Sequence, residues 1–186
     1  MARSSVIVFT GEGKGKTEAA LGLAVRALGA DFKVAFIEFI KSREVSEDKT
    51  LTDLKQIYPQ KLEILKGGKG FYIPDRAQVK PPITEVSVAE HKQAATDTYA
   101  HLLECAQSGD YDLVIADEIN NAVHDGLLTK TQLKDLIDSR HQRTHLCFTG
   151  RNFPSDFLPF VDYVTDMTKQ KHPYDKGEPA ILGIDY

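Results

Sequence analysis

The chain has 186 residues, 41% of them hydrophobic and 27% charged, an ordinary balance for a globular protein with a sizeable core. Its 23 Lys and Arg against 27 Asp and Glu give a net charge of −4. That argues against a nucleic-acid partner, because phosphate-backbone binders carry a basic excess. No apolar run approaches the ~20 residues of a membrane span, and only Met1 to Ser5 precede the first apolar run, which leaves no room for a signal peptide. The expectation is a cytoplasmic protein with no membrane partner.

Val6–Phe9 reads as a buried strand and Glu18–Leu28 as a helix ending near Gly29. Between them lies Thr10-Gly11-Glu12-Gly13-Lys14-Gly15-Lys16-Thr17. A glycine-rich turn at a strand-to-helix junction is a phosphate cradle: side chains are removed, and backbone N–H groups close around an anion at a helix N-terminus. Lys16 is placed to reach the distal phosphates, and the Thr17 hydroxyl to bind Mg²⁺. Thr10 departs from the strict pattern, which begins with glycine. The competing reading is a plain glycine-rich turn with two solvated lysines.

Further apolar runs follow at Val34–Phe39, Leu62–Leu65, Leu113–Ala116, His145–Phe148 and Val161–Val164. Short runs apolar on both faces suit a parallel sheet covered by helices. Ser87 with Glu90 and Thr129 with Gln132 have capping-box spacing. The first opens a helix burying Ala95, Tyr99, Leu102 and Ala106, and the second one burying Leu133, Leu136 and Ile137. The reading is an α/β fold, P-loop NTPase-like, with a mostly parallel sheet, helices on both faces, and one nucleotide-binding domain over residues 1–186. Two stretches break the alternation. Lys41–Lys55 is highly charged, and the segment from Gly67 through Phe71-Tyr72-Ile73 to Pro81-Pro82 is a long loop whose apolar tip favours a lid over disorder.

Asp117 and Glu118 end the Leu113–Ala116 run, as the second acidic element of a triphosphate site does, with one acid near Mg²⁺. Spacing does not decide which. Arg151, in Thr149-Gly150-Arg151, reaches the same rim, either as a bidentate phosphate ligand or as half of a surface ion pair. Cys105 and Cys147 share no C-x-x-C spacing, so neither a zinc site nor a disulfide framework is suggested. The six histidines suggest no metal site, and no nucleophilic triad can be assembled.

Together these residues resemble the P-loop type of ATP:corrinoid adenosyltransferase, the cob(I)yrinic acid a,c-diamide adenosyltransferase family. The resemblance rests on Thr10–Thr17, Glu38-Phe39-Ile40-Lys41, Gly70-Phe71, Asp117-Glu118, Thr149–Arg151 and the tail Lys171–Tyr186. In that tail His172, Asp175, Gly177, Gly183 and Asp185 match position by position. The resemblance implies transfer of the 5′-deoxyadenosyl group from ATP to the cobalt of a reduced corrinoid, cob(I)alamin or a precursor, with release of triphosphate. It further implies Mg²⁺ (or Mn²⁺), a reduced flavoprotein as electron donor and a homodimer. Catalytic roles fall to Lys16, to Arg151 and to Phe71 beneath the corrin; Thr10–Thr17 bind the nucleotide, and Thr17, Asp117 and Glu118 the metal.

The chain departs from the family pattern at several positions. Glu12 stands where the loop usually has Asn, and Glu18 where it has a second Thr. Glu38 and Ser42 replace Gln and Gly, Ile73 occupies the place of a lid Trp, and an N-terminal extension is missing. Two rival readings stay open: a P-loop kinase or ATPase that cleaves at phosphorus, and a non-catalytic module that binds ATP or corrinoid.

Overall fold

The computed structural model describes residues 4–40, 45–70 and 86–185. Among them are six strands: β1 (Val6–Thr10), β2 (Val34–Glu38), β3 (Leu62–Lys66), β4 (Leu113–Asp117), β5 (His145–Thr149) and β6 (Tyr163–Asp166). They form one sheet in the order β3-β2-β4-β5-β1-β6, with every neighbouring pair parallel. All carboxyl ends therefore lie on one edge. β5 sits between β4 and β1, so Thr149 stands between the loop leaving β1 and the acids ending β4.

Successive side chains of each strand feed opposite layers. Ala35, Ile37, Val114, Ala116, Leu146 and Phe148 join the core under α3 (Val88–Ser108), α4 (Ile119–His124) and α5 (Lys130–Ser139). Val34, Phe36, Leu113, Ile115 and Cys147 join the core under α1 (Lys16–Gly29) and α2 (Ser46–Ile57). Each fully buried large aliphatic or aromatic side chain contributes about 1.5–3 kcal/mol. Both expected capping boxes form: Glu90 N–H donates to Ser87 Oγ and Gln132 N–H to Thr129 Oγ1. The seven apolar residues expected beneath those two helices are buried.

Three features differ from the sequence reading. The charged stretch contains a helix, α2. Its start is held by Asp48, whose carboxylate accepts the Val45 N–H at 2.9 Å, and Leu51 is its buried anchor. The last strand begins at Tyr163 rather than Val161, which instead follows a 3₁₀ turn at Ser155–Phe160. As an edge strand, β6 is exposed at all four residues, so it is not covered on both faces. Helix α1 starts at Lys16, two residues earlier than expected, so Lys16 and Thr17 open the helix itself. Lys41 and the loop tip Phe71-Tyr72-Ile73 lie outside the described residues, as do Pro81 and Pro82.

Among the described residues no helix is long and apolar enough to cross a membrane.

Candidate active site

The loop after β1 is shaped by what its glycines leave out. Gly11 has φ +100°, and a Cβ there would lie 2.2 Å from Asp166 Oδ1. At Gly13 a Cβ would meet the Met167 carbonyl oxygen at 2.5 Å, an oxygen that accepts the Gly13 N–H at 2.6 Å. The chain leaving β6 thus packs directly against the loop, which only glycine permits. Thr10, at the position usually taken by glycine, uses its hydroxyl to accept the Phe153 N–H at 3.2 Å. This ties the loop to the segment after β5.

Lys16 reaches back across the loop and donates to the carbonyls of Gly11 at 2.8 Å and Gly13 at 2.6 Å. Its ammonium pKa is lowered, first by burial and then by the Arg151 guanidinium; Glu118, Glu12 and Asp117 oppose the shift. An ammonium so placed stands at the floor of the cradle, partly stripped of water, which strengthens its pull on an anion.

Asp117 is fully buried. It accepts from Thr17 Oγ1 at 3.0 and 3.3 Å and from Thr149 Oγ1 at 2.6 Å. Thr149 in turn accepts the Glu118 N–H at 2.9 Å. One threonine on β5 therefore holds both positions of the acidic pair. Glu118 sits at φ 63°, a left-handed conformation that costs on the order of 1–3 kcal/mol outside glycine. That bend caps α4 and turns residue 118 toward the pocket, which it lines with Lys16 and Thr17.

Arg151 lines the same pocket, and its Nε lies 3.3 Å from the Glu12 carboxylate. Of the two sequence alternatives for Arg151, the structure contains the surface ion pair, and that pair lies at the rim of the cleft. Lys14 is likewise engaged by Glu18, one helical turn on. Glu12 and Glu18, the two carboxylates by which the loop region departs from the family pattern, therefore each meet a cation of that region.

The sequence reading missed one set of residues and gave a second no place in the site. Asn120 Nδ2 donates to the Gly150 carbonyl at 3.0 Å, and Asn121 Oδ1 accepts the Arg151 N–H at 2.7 Å, so α4 holds the turn that carries Arg151. Two asparagines in a six-residue helix carry no sequence signature. The other set is the tail. Lys169, His172, Asp175, Glu178 and Asp185 line the cleft together with Glu12–Glu18, giving a cavity of about 590 Å³, within the size range of small-molecule sites. His172, Asp175 and Asp185 were singled out only through resemblance, with no position in space.

A six-stranded parallel sheet with a glycine-rich cradle after β1 and a buried aspartate at the end of β4 defines a P-loop nucleotide-binding protein. The flagellar accessory protein FlaH from Methanocaldococcus jannaschii shares this fold, with a TM-score of 0.53 over 89% of this chain and 72% of that one, at 14% identity. The family model described as ATP:corrinoid adenosyltransferase BtuR/CobO/CobP matches residues 2–186. The chain is 32% identical to the corrinoid adenosyltransferase of Escherichia coli strain K12, across 99% of this chain and 86% of that protein. It is 29% identical to the corrinoid adenosyltransferase CobA of Salmonella typhimurium, again over 99% and 86%. This chain belongs to the ATP:corrinoid adenosyltransferase family.

Proposed function

We propose that the protein transfers the 5′-deoxyadenosyl group of ATP to the cobalt of a reduced corrinoid and releases triphosphate, using residues 1–186 as a single nucleotide-binding domain. The observation that supports the site assignment is the convergence of Lys16, Thr17, Glu118 and Arg151 on one cleft at the carboxyl ends of β1, β4 and β5, with Asp117 buried directly behind Thr17. The Co(I) centre of the substrate supplies the electron pair. A Co–C bond forms at the 5′ carbon of ATP, the C5′–O bond breaks, and the electrons leave with the triphosphate. The reaction needs no side-chain nucleophile.

The chain's own task is to orient two substrates and to stabilise a growing polyanion. Orientation alone is worth on the order of 7–11 kcal/mol in well-aligned reactions. Lys16 stabilises the leaving group from the cradle floor, and Lys14 and Arg151 from its rim once their carboxylate partners yield. The oxygen donors of Thr17 and Asp117, adjacent at 3.0 Å, with Glu118 beside them, are the hard ligands that Mg²⁺ (or Mn²⁺) prefers. When bound, that ion adds positive charge at the triphosphate. Phe71 is assigned to the lower face of the corrin by resemblance. A reduced flavoprotein donor, a homodimeric state and a cytoplasmic location belong to the same reading.

The test is one reaction containing ATP, Mg²⁺ and chemically reduced corrinoid, followed by corrinoid spectra and by analysis of the phosphate products. The expected result is a Co–C bonded corrinoid appearing in step with triphosphate. ADP as product would assign a kinase or ATPase, and ligand binding without turnover a non-catalytic module.

A further inference from the structure

At the far edge of the sheet from β1, Glu63 of β3 meets His101 and Cys105 of α3. Glu63 is the second residue of its strand, near the amino end, whereas the ATP cleft lies at the carboxyl ends. His101 and Cys105 are four residues apart on α3 and so share one helix face. The Glu63 carboxylate, His101 Nε2 and Cys105 Sγ all lie within 4.8 Å of one another. We propose that Glu63, His101 and Cys105 form a second metal site, selective for a thiophilic divalent ion such as Zn²⁺.

The distances suit that ion. Tetrahedral zinc, with Zn–N near ~2.0 Å and Zn–S near ~2.3 Å, holds nitrogen and sulfur ~3.5 Å apart. Nε2 and Sγ are 3.5 Å apart. Nε2 and Glu63 Oε1 are 2.5 Å apart and must open by roughly 0.9 Å to flank the ion, a movement within reach of one glutamate rotamer. Tyr111 donates its hydroxyl to Glu63 Oε2, the oriented outer partner that ligating carboxylates usually have. The His101 and Glu63 side chains are about one third exposed, at 36% and 33%, so a water can complete the fourth position.

Sulfur and imidazole discriminate against Mg²⁺, which separates this site chemically from the oxygen donors of the ATP cleft. Binding transfers the Cys105 thiol proton to solvent, and thiolate plus carboxylate then balance the charge of the ion. The ion would clamp the edge strand β3 onto α3. The sequence hides the triad because only the H-x-x-x-C pair is local, while Glu63 lies 38 residues before His101.

The experiment titrates the metal-free full chain with Co²⁺ and then Zn²⁺, without ATP or corrinoid, so its outcome is independent of the transferase reading. The expected result is a thiolate-to-cobalt charge-transfer band with tetrahedral visible bands, saturating at equimolar Co²⁺ and bleached by equimolar Zn²⁺. Cys105→Ser should lose the charge-transfer band. His101→Gln should lose stoichiometric binding, and Tyr111→Phe should weaken it about tenfold. Cys147→Ser, altering the buried thiol in the opposite layer, should leave the spectrum unchanged. Far-ultraviolet circular dichroism checks each variant; if Cys105→Ser does not fold, His101→Gln at its partly exposed position decides. A spectrum with no thiolate band in the wild type, or one that survives His101→Gln or a folded Cys105→Ser, overturns the site.

Discussion

Thr149→Val replaces one hydroxyl with a methyl of similar size at a fully buried position, and should damage both stability and metal dependence. The wild-type hydroxyl donates to Asp117 Oδ1 at 2.6 Å and accepts the Glu118 N–H at 2.9 Å. Valine removes one donor from a buried carboxylate and this acceptor from the part-buried N–H. A hydrogen bond to a charged group is worth about 1.5–3 kcal/mol, and an unsatisfied buried group costs about 1–3 kcal/mol. The two losses are coupled through one atom, so a combined effect near ~3 kcal/mol is expected rather than their full sum. For a chain of this size that lowers the melting temperature by roughly 6–12 °C. Thr149→Ser keeps the hydroxyl and should cost only about 1 kcal/mol for the lost methyl. Thermal denaturation of the three proteins measures the first effect. A titration of adenosyl transfer against Mg²⁺ measures the second, with Thr149→Val needing more metal for half-maximal rate and Thr149→Ser near wild type. Equal stability and an equal metal midpoint for valine and threonine would refute the idea that this hydroxyl sets the acidic pair.

Lys16→Ala should weaken ATP binding by about 1.5–3 kcal/mol, measured calorimetrically, because a charge-assisted phosphate contact is lost. Glu12→Asn combined with Glu18→Thr frees Arg151 and Lys14, so ATP and triphosphate should both bind several-fold tighter at low salt, with the gain shrinking as ionic strength rises. His91, 7% exposed, has its imidazole pKa lowered by burial against a smaller opposing pull from Glu90. The unfolded chain therefore binds the extra proton first, so stability is fully present above about pH 6.5 and falls as pH drops from there through the folded value. Denaturant midpoints between neutral and mildly acidic pH should show that slope in the wild type and a flatter one in His91→Gln.

The parts of the fold that could be read in the sequence are those whose physics is local. β2, β4 and β5 are covered on both faces, and their stretches 34–37, 113–116 and 146–148 appear as apolar runs. The loop after β1 announces itself because a phosphate cradle needs glycine and lysine at fixed spacing. α2 escaped because Leu51 is its single buried residue, Leu54 packs only partly against the core, Ile57 is exposed, and the other nine residues are charged or polar. β6 was shifted because Val161 is apolar for the sake of the packing beside the 3₁₀ turn, while the strand itself is an exposed edge. In the site, spacing could not rank Asp117 against Glu118. The structure gives the two acids different surroundings: Thr149 of β5 and Thr17 of α1 both donate to the buried Asp117, while Glu118 lines the cleft. Such cross-strand hydrogen bonds leave no periodic trace in a single chain.

The charge arrangement of the cleft has a consequence for a reaction whose leaving group is itself a polyanion. Lys14 is held by Glu18, Arg151 by Glu12, and Lys169 by Asp175 at 2.6 Å, while Lys16 rests on two backbone carbonyls. Each of the exposed pairs is worth only about 0–1 kcal/mol, so an entering triphosphate displaces the carboxylates at small cost. The same carboxylates compete for the cations once the carbon–oxygen bond has broken. Interactions made equally to ATP and to free triphosphate do nothing for the chemical step, and in excess they delay departure of the product. On the proposed function, Glu12 and Glu18 would weaken those uniform contacts while sparing Lys16, the half-buried cation seated on the loop carbonyls. The two acids that sit oddly in a phosphate cradle thus fit a cradle that must release triphosphate at every turnover.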